Sequence, residues 1–178
     1  EEGFIDEQDW AGTSFPAERV DFGSVVRFKE RLTARAWENF QQGRAGHLQG
    51  DFDRFRQEQR HWLDDYALFM ALKPGSRVPL PGLADAARLP RAEALDRARR
   101  ELEPAIGLHS FRQFLFFRQW NFLRDYAHER GIRILGDIPI FVSSDSADVW
   151  ANPEWFLLNE KRRPRVAAGV PPDYFNAE

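Results

Sequence analysis

The chain has 178 residues, 43% of them hydrophobic and 14% aromatic, which suits one domain with a real core and excludes a disordered chain. Its net charge of -3 offers no footprint for nucleic acid or an anionic membrane surface, and no apolar run approaches the ~20 residues of a membrane span. There is no cysteine, so disulfides and thiolate metal sites are excluded and a reducing cytoplasm is the expected location.

Residues 1 to 20 are polar, with scattered Trp10 and Phe15, and read as a loop or connecting arm. From Ser24 to Gln42, the positions Val25, Val26, Phe28, Leu32, Ala36 and Phe40 fall on one helical face. A second helix is expected over roughly 51 to 73, carrying Phe52, Phe55, Trp62, Leu63, Tyr66, Phe69 and Met70, and ended by Pro74-Gly75. Residues 74 to 90 are rich in Pro and Gly and read as an irregular connection. A third helix runs from Arg91 to Leu102, with a mixed-charge solvated face.

The longest helix is expected over 107 to 129, closed by Gly131 as a C-cap. Leu108, Phe111, Leu115, Phe116, Trp120, Phe122, Leu123 and Tyr126 share one broad arc of its wheel, with Phe114 and Phe117 outside it. Arg112 and Gln119 sit within the arc and need hydrogen-bonding partners if buried. Next, "GIRILGDIPIFV" is β-rich and nearly continuous, as strands buried on both faces are. Helix, Gly, then apolar strand is half of a βα repeat, which predicts an α/β fold. "SSDSADVW" reads as a βα loop entering a short helix, with Ser144 or Asp145 as N-cap. Phe156 to Leu158 is expected to pair with Val166 to Ala168 across a charged turn.

Asp137 is the sharpest candidate site. It stands where the first apolar run ends, and ligands of parallel α/β folds gather at the carboxyl ends of strands. Gly136 permits close approach and Pro139 fixes the backbone after it. Two readings stand: a ligand-facing carboxylate, or an aspartate that caps the next turn or pairs with an Arg. Asp145 and Asp148, three apart, either share acid-base work or cap and flank a helix start, and the second is the simpler reading. Trp150 and Trp155 either stack on sugar rings or pack in the core. "GVPPDYF", 169 to 175, braces a loop with two prolines and presents Asp173, Tyr174 and Phe175, which suits a carbohydrate or else a plain surface turn. His47, His61, His109 and His128 lack metal-ligand spacing, and "KRRPR", 161 to 165, reads best as a solvated turn.

Residues 136 to 175, "GDIPIFVSSDSADVWANPEWFLLNEKRRPRVAAGVPPDYF", closely resemble the 4-α-glucanotransferases, or amylomaltases, of glycoside hydrolase family 77. "DYALFMALK", 65 to 73, and "FRQFLFFRQW", 111 to 120, resemble the same family in the same order. The resemblance implies a fragment of a (β/α)8 barrel with a mainly helical inserted subdomain, residues 1-105 being mainly the insertion and 106-178 a barrel helix, strand and active-site loop. It implies an enzyme that cuts an α-1,4-glucan, holds the donor as a covalent glucosyl ester and passes it to an acceptor 4-hydroxyl with retention, which takes two carboxylates about 5 to 5.5 Å apart. In the family those carboxylates lie in later segments, resembling "RIDHFRG" and "AEDLG", so this chain is expected to hold no catalytic residue. Asp137 matches the aspartate beside the donor sugar, and Asp173, Tyr174 and Phe175 match the loop over the active site that favours transfer over hydrolysis. No metal or organic cofactor is implied. The implied partners are α-1,4-glucans, maltooligosaccharides and the rest of a longer parent chain, without nucleic acid or membrane. After Lys73 the chain departs from the family's Trp-Pro pattern. The rival readings are a non-catalytic carbohydrate-binding or scaffold domain and a helical interaction domain.

Overall fold

The computed structural model describes residues 2–73, 91–160 and 163–166. The helices are α1 (Glu7–Trp10), α2 (Phe22–Gln41), α3 (Gln49–Glu58), α4 (Arg60–Leu72), α5 (Arg91–Glu101), α6 (Glu103–Glu129) and α7 (Ala147–Ala151), with 3-10 turns at Gly46–Leu48 and Pro153–Trp155. By packing, the chain divides into two units, Glu1–Ile132 and Arg133–Glu178.

The first unit is built around aromatic rings. Phe111 on α6 is fully buried and stacks on Phe40 of α2, with centroids 5.1 Å apart and planes at 23°. Phe4, Trp37 and Phe52 complete its surroundings at 5.3, 5.3 and 5.9 Å. Edge-to-face pairs such as Phe4–Phe111 and Phe52–Phe111 add about 0.5–1.5 kcal/mol each to plain burial, because ring edges and faces carry opposite partial charge. α4 supplies a second buried patch, with Leu63, Ala67, Leu68 and Ala71 all at or below 1% exposure. Ala67 and Ala71 are buried on α4, which packs against α6.

Local chemistry explains the helix ends. Asp21 caps α2: Ser24 N–H donates to Oδ1 at 3.3 Å and the Ser24 hydroxyl to Oδ2 at 2.6 Å. α6 ends in a Schellman motif, with Gly131 at φ 72°, Gly131 N–H donating to His128 O and Ile132 N–H to Ala127 O. The C-cap expected at Gly131 is therefore present.

Four expectations are corrected. The helix over 51 to 73 is two helices, α3 and α4, because Gln59 leaves helical geometry at ψ 5° and its side chain instead accepts the Trp62 indole N–H at 2.8 Å. The polar arm at 1 to 20 hides a core residue: Phe4 is 7% exposed, and its carbonyl accepts from buried Asn39 Nδ2 at 2.7 Å. The buried residues of α6 are Gly107, Ser110, Phe111, Phe114 and Ala127, so of the arc read from the wheel only Phe111 is buried, with Leu115 packed against the same core. Phe114 is core, whereas Trp120, Phe122, Leu123 and Tyr126 are exposed. The reason is length: α6 has 27 residues, about 40 Å at ~1.5 Å per residue, and outruns the 20-residue α2 and 13-residue α4.

The fourth correction is the strand. Among the described residues, 132 to 142 join no ladder, and Leu135, Ile138 and Ile140 are 92%, 83% and 88% exposed. A strand exists by pairing, and none of the described segments offers this stretch a partner.

Polar groups seam the helices of the first unit. Arg112 is half-buried; its Nε donates to Thr33 Oγ1 at 2.9 Å and an Nη to the Glu30 carbonyl at 3.3 Å. The partners that burial of Arg112 required are thus on α2, while Gln119 is exposed and required none. Gln113 Nε2 donates to the Tyr66 hydroxyl at 3.0 Å. His109, half-buried on the same helix, has its pKa lowered to about 4, chiefly by burial and secondly by the Arg112 charge.

Candidate functional site

The second unit carries the residues that sequence reasoning singled out. Asp137 is exposed, and its Oδ1 accepts the N–H of the next residue, Ile138, at 2.9 Å. This is a local bond of an aspartate side chain to the adjoining backbone. It leaves the carboxylate at the surface, within reach of solvent and of any polar ligand. Both readings of Asp137 therefore keep a physical basis: it braces its own backbone and it faces outward.

Downstream, the chain folds as a capped loop. Asp145 N–H donates to Ser143 Oγ at 3.2 Å. Ser146, rather than Ser144 or Asp145, is the N-cap of α7; its hydroxyl accepts from Val149 N–H at 3.3 Å. Ser146 wins because it alone is placed three residues before Val149, whose side chain is buried at 8% exposure and anchors the turn. Asp148 lies in the first turn of α7, where the helix end favours negative charge. That position supports the structural reading of Asp148 over shared acid-base work. Asn152 then breaks the helix and Pro153 starts a 3-10 turn, which presents Trp155 at 72% exposure, while Trp150 is half-buried. Of the two tryptophans, Trp155 has the open ring face.

The hairpin is present in a tighter register than expected. Leu158 bridges Pro164 in antiparallel fashion. Asn159 N–H donates to Arg163 O and Arg165 N–H to Leu157 O, both at 2.8 Å. The Asn159 side chain accepts Arg163 N–H at 3.0 Å. This side-chain bond closes the turn early and Val166 is 67% exposed, while residues 167 and 168 of the expected pairing lie outside the described residues. Asp173, Tyr174 and Phe175 lie outside the described residues, as does the 74 to 90 connection. Among the described residues, no three His, Asp or Glu side chains gather as a metal site would require, and no helix is long and apolar enough to cross a membrane.

The sequence reading overlooked the polar seam on α2. Arg112 was visible in the α6 arc, but its acceptors, the Thr33 hydroxyl and the Glu30 carbonyl, lie 79 and 82 residues away in the chain. Helical spacing carries no information over such separations.

The first unit is predominantly helical, and the second carries an apolar run, a capped loop and an early-closing hairpin; comparison with known proteins gives the chain its family. A family profile of the 4-alpha-glucanotransferases matches residues 1–178, and the chain belongs to this family. It is 44% identical to the 4-alpha-glucanotransferase of Thermus thermophilus over 182 aligned residues, covering 99% of this chain and 35% of that protein. It is 39% identical to the 4-alpha-glucanotransferase of Aquifex aeolicus, again over 99% of this chain and 35% of that protein. Among solved structures, an amylomaltase from Streptococcus agalactiae in complex with acarbose matches with a TM-score of 0.82 and 36% identity, over 98% of this chain and 36% of that one. The chain thus spans about a third of the length of the relatives it matches.

Proposed function

We propose that this chain is the part of a 4-α-glucanotransferase that holds the substrate side of the site. The complete protein transfers α-1,4-glucan segments to the 4-hydroxyl of an acceptor glucan or glucose, with retention of configuration. The observation that carries the reading is the family match along all 178 residues, with motifs in unbroken order from "DYALFMALK" to "VPPDYF".

Retention proceeds by two displacements: a carboxylate attacks the anomeric carbon while an acid protonates the leaving oxygen, then the acceptor hydroxyl, deprotonated by the same group, displaces the ester. Both carboxylates belong to segments outside this chain. Asp137 is assigned to hydrogen-bond hydroxyls of the donor sugar, consistent with its exposed carboxylate. Asp173, Tyr174 and Phe175 are assigned to the loop that covers the ester and excludes water.

The apolar run at 132 to 142 becomes one strand of a (β/α)8 barrel, and its exposed Leu135, Ile138 and Ile140 are the surface that neighbouring strands would cover. Residues 1-105 are then mainly the helical insertion and 106-178 the barrel segment. The exposed Trp120, Phe122, Leu123 and Tyr126 on α6 belong to the same uncovered surface. We place the protein in the cytoplasm, in keeping with a chain free of cysteine. The acarbose held by the Streptococcus agalactiae relative supports α-glucans and maltooligosaccharides as ligands here. The rival readings, a non-catalytic binding module and a helical interaction domain, have no comparable observation behind them.

Incubation with maltotriose tests the proposal. The complete protein is expected to yield glucose and oligosaccharides longer than the substrate, and this chain alone neither. Glucose and maltose without longer products from the complete protein would mean a hydrolase. Products from the chain alone would show that it holds catalytic groups of its own.

A further inference from the structure

The N-terminal segment and the first turns of α2 enclose an open groove of about 370 Å³ lined by Thr13, Ser14, Phe15, Arg27, Phe28 and Arg31, with Ser24 at its edge. Its volume falls at the small end of the ~300–1,000 Å³ range of ligand clefts. No acidic side chain lines it. Arg27 and Arg31 are four residues apart and so share a face of α2. Of the ion pairs formed among the described residues, none involves either of them. The contrast is with Arg35, one turn further along, which pairs with Asp9 and Glu38.

The nearest acid, Asp21, is already engaged as the α2 cap by the N–H and hydroxyl of Ser24. Arg27 donates to Ser24 Oγ at 3.3 Å, and its charge adds to the bonds from Ser24 in holding the Asp21 carboxyl below its ordinary range. Arg31 lies with its Cζ 5.5 Å from the centroid of the Phe28 ring, which holds the guanidinium in place without neutralising it. Phe15 meets the same ring edge-to-face at 5.3 Å and 74°, giving the groove an apolar wall beside its two charges.

We propose that this groove binds a phosphate monoester of a sugar. Two guanidiniums on one helix face, neither in an ion pair among the described residues, match a dianionic phosphate, which accepts charge-assisted hydrogen bonds from planar Arg forks. The Thr13 and Ser14 hydroxyls match sugar hydroxyls, and the Phe15–Phe28 wall matches the C–H face of a sugar ring. The helix end itself is occupied by Asp21, so recognition rests on side chains. This inference goes beyond the glucan-transfer reading and does not depend on it.

The test is titration of the isotope-labelled chain with α-D-glucose 1-phosphate, following the Arg Nε–H signals by NMR, with inorganic phosphate and glucose as separate arms. Glucose 1-phosphate is expected to shift the Arg27 and Arg31 signals saturably. Inorganic phosphate should shift the same signals with weaker affinity, and glucose should leave them unmoved. The double variant Arg27→Gln, Arg31→Gln alters two exposed side chains that make no ion pair, so its circular dichroism should match the parent, and its affinity should fall at least about tenfold. Unmoved signals well above millimolar ligand, or undiminished affinity in the double variant, overturns the site. Inorganic phosphate binding as tightly as the ester overturns the sugar assignment, and glucose binding as tightly as the ester overturns the anion assignment.

Discussion

Gly107 on α6 lies directly against the indole of Trp37 on α2: a Cβ on Gly107 would stand 2.7 Å from Trp37 Cζ2. Real carbon atoms do not approach so closely without something moving. The glycine therefore sets the separation of two helices whose joint face carries Phe40 and Phe111. It does so from within a helix, where glycine is otherwise disfavoured.

Gly107→Ala is expected to destabilise the chain by about 1–2 kcal/mol. Alanine gains about 1 kcal/mol in helix propensity, but overpacking against a large ring costs more, typically about 1–3 kcal/mol plus lost core contacts. Urea unfolding followed by Trp fluorescence measures the change, and adding Trp37→Leu should recover part of it. A midpoint at or above the parent's would show that the two helices part without cost.

Phe111 and Phe122 sit on one helix eleven residues apart, with exposures of 0% and 75%. Phe111→Ala should cost about 3–5 kcal/mol through lost burial and the cavity left among the rings of Phe4, Trp37, Phe40, Phe52 and Phe114. If that variant is too unstable to measure, Phe111→Leu should still lose about 1–2 kcal/mol. Phe122→Ala should change stability of this chain by no more than about 0.5 kcal/mol. In the complete protein, where we propose that this surface is covered, the same substitution should cost several times more. Equal effects of Phe122→Ala in both settings count against that cover.

His109 makes stability depend on pH. Its folded pKa is depressed to about 4, below the ordinary value of 6.5, by burial and then by Arg112. The unfolded chain therefore takes up a proton first as pH falls. The contribution of neutral His109 is complete above pH 6.5 and is lost between 6.5 and about 4. Since the ring is partly solvated, the loss is on the order of 1–2 kcal/mol after screening, below the full value of such a shift. Urea midpoints at pH 7.5 and 4.5 for the parent and His109→Gln isolate it. The variant should lose less stability on acidification than the parent; an identical slope would remove His109 from the account.

Asp137→Asn in the complete protein should lower transfer from maltotriose by at least about a hundredfold, with the melting temperature shifted by no more than a degree or two. An exposed carboxylate that accepts its neighbour's N–H contributes little to folding. Parent-like rates would take Asp137 out of the site.

Much of this fold was legible in local pattern. Helical periodicity marked α2, α5 and α6 to within a few residues, because a 3.6-residue repeat of apolar side chains is a property of the segment itself. Gly131 marked the end of α6 because a left-handed residue there is nearly always glycine. The early closure of the hairpin was not legible, since it turns on whether Asn159 bonds across the turn. The N-cap of α7 was read as Ser144 or Asp145 and is Ser146, because Val149, three residues on, finds a buried place.

What the amino-acid sequence determined by itself was the helices α2, α5 and α6, the outward aspartate of "GDIP" and the family, since each rests on residues close together in the chain or on long ordered motifs. Tertiary structure alone decided which face of α6 is core, that Phe4 closes the aromatic cluster, and that Arg112 finds its acceptors on α2. It also decided that an apolar run with every mark of a buried strand stands exposed among the described residues. The physical reason is common to all four: burial and strand pairing are relations between segments, and a segment's own sequence states its capacity for them but not its partner.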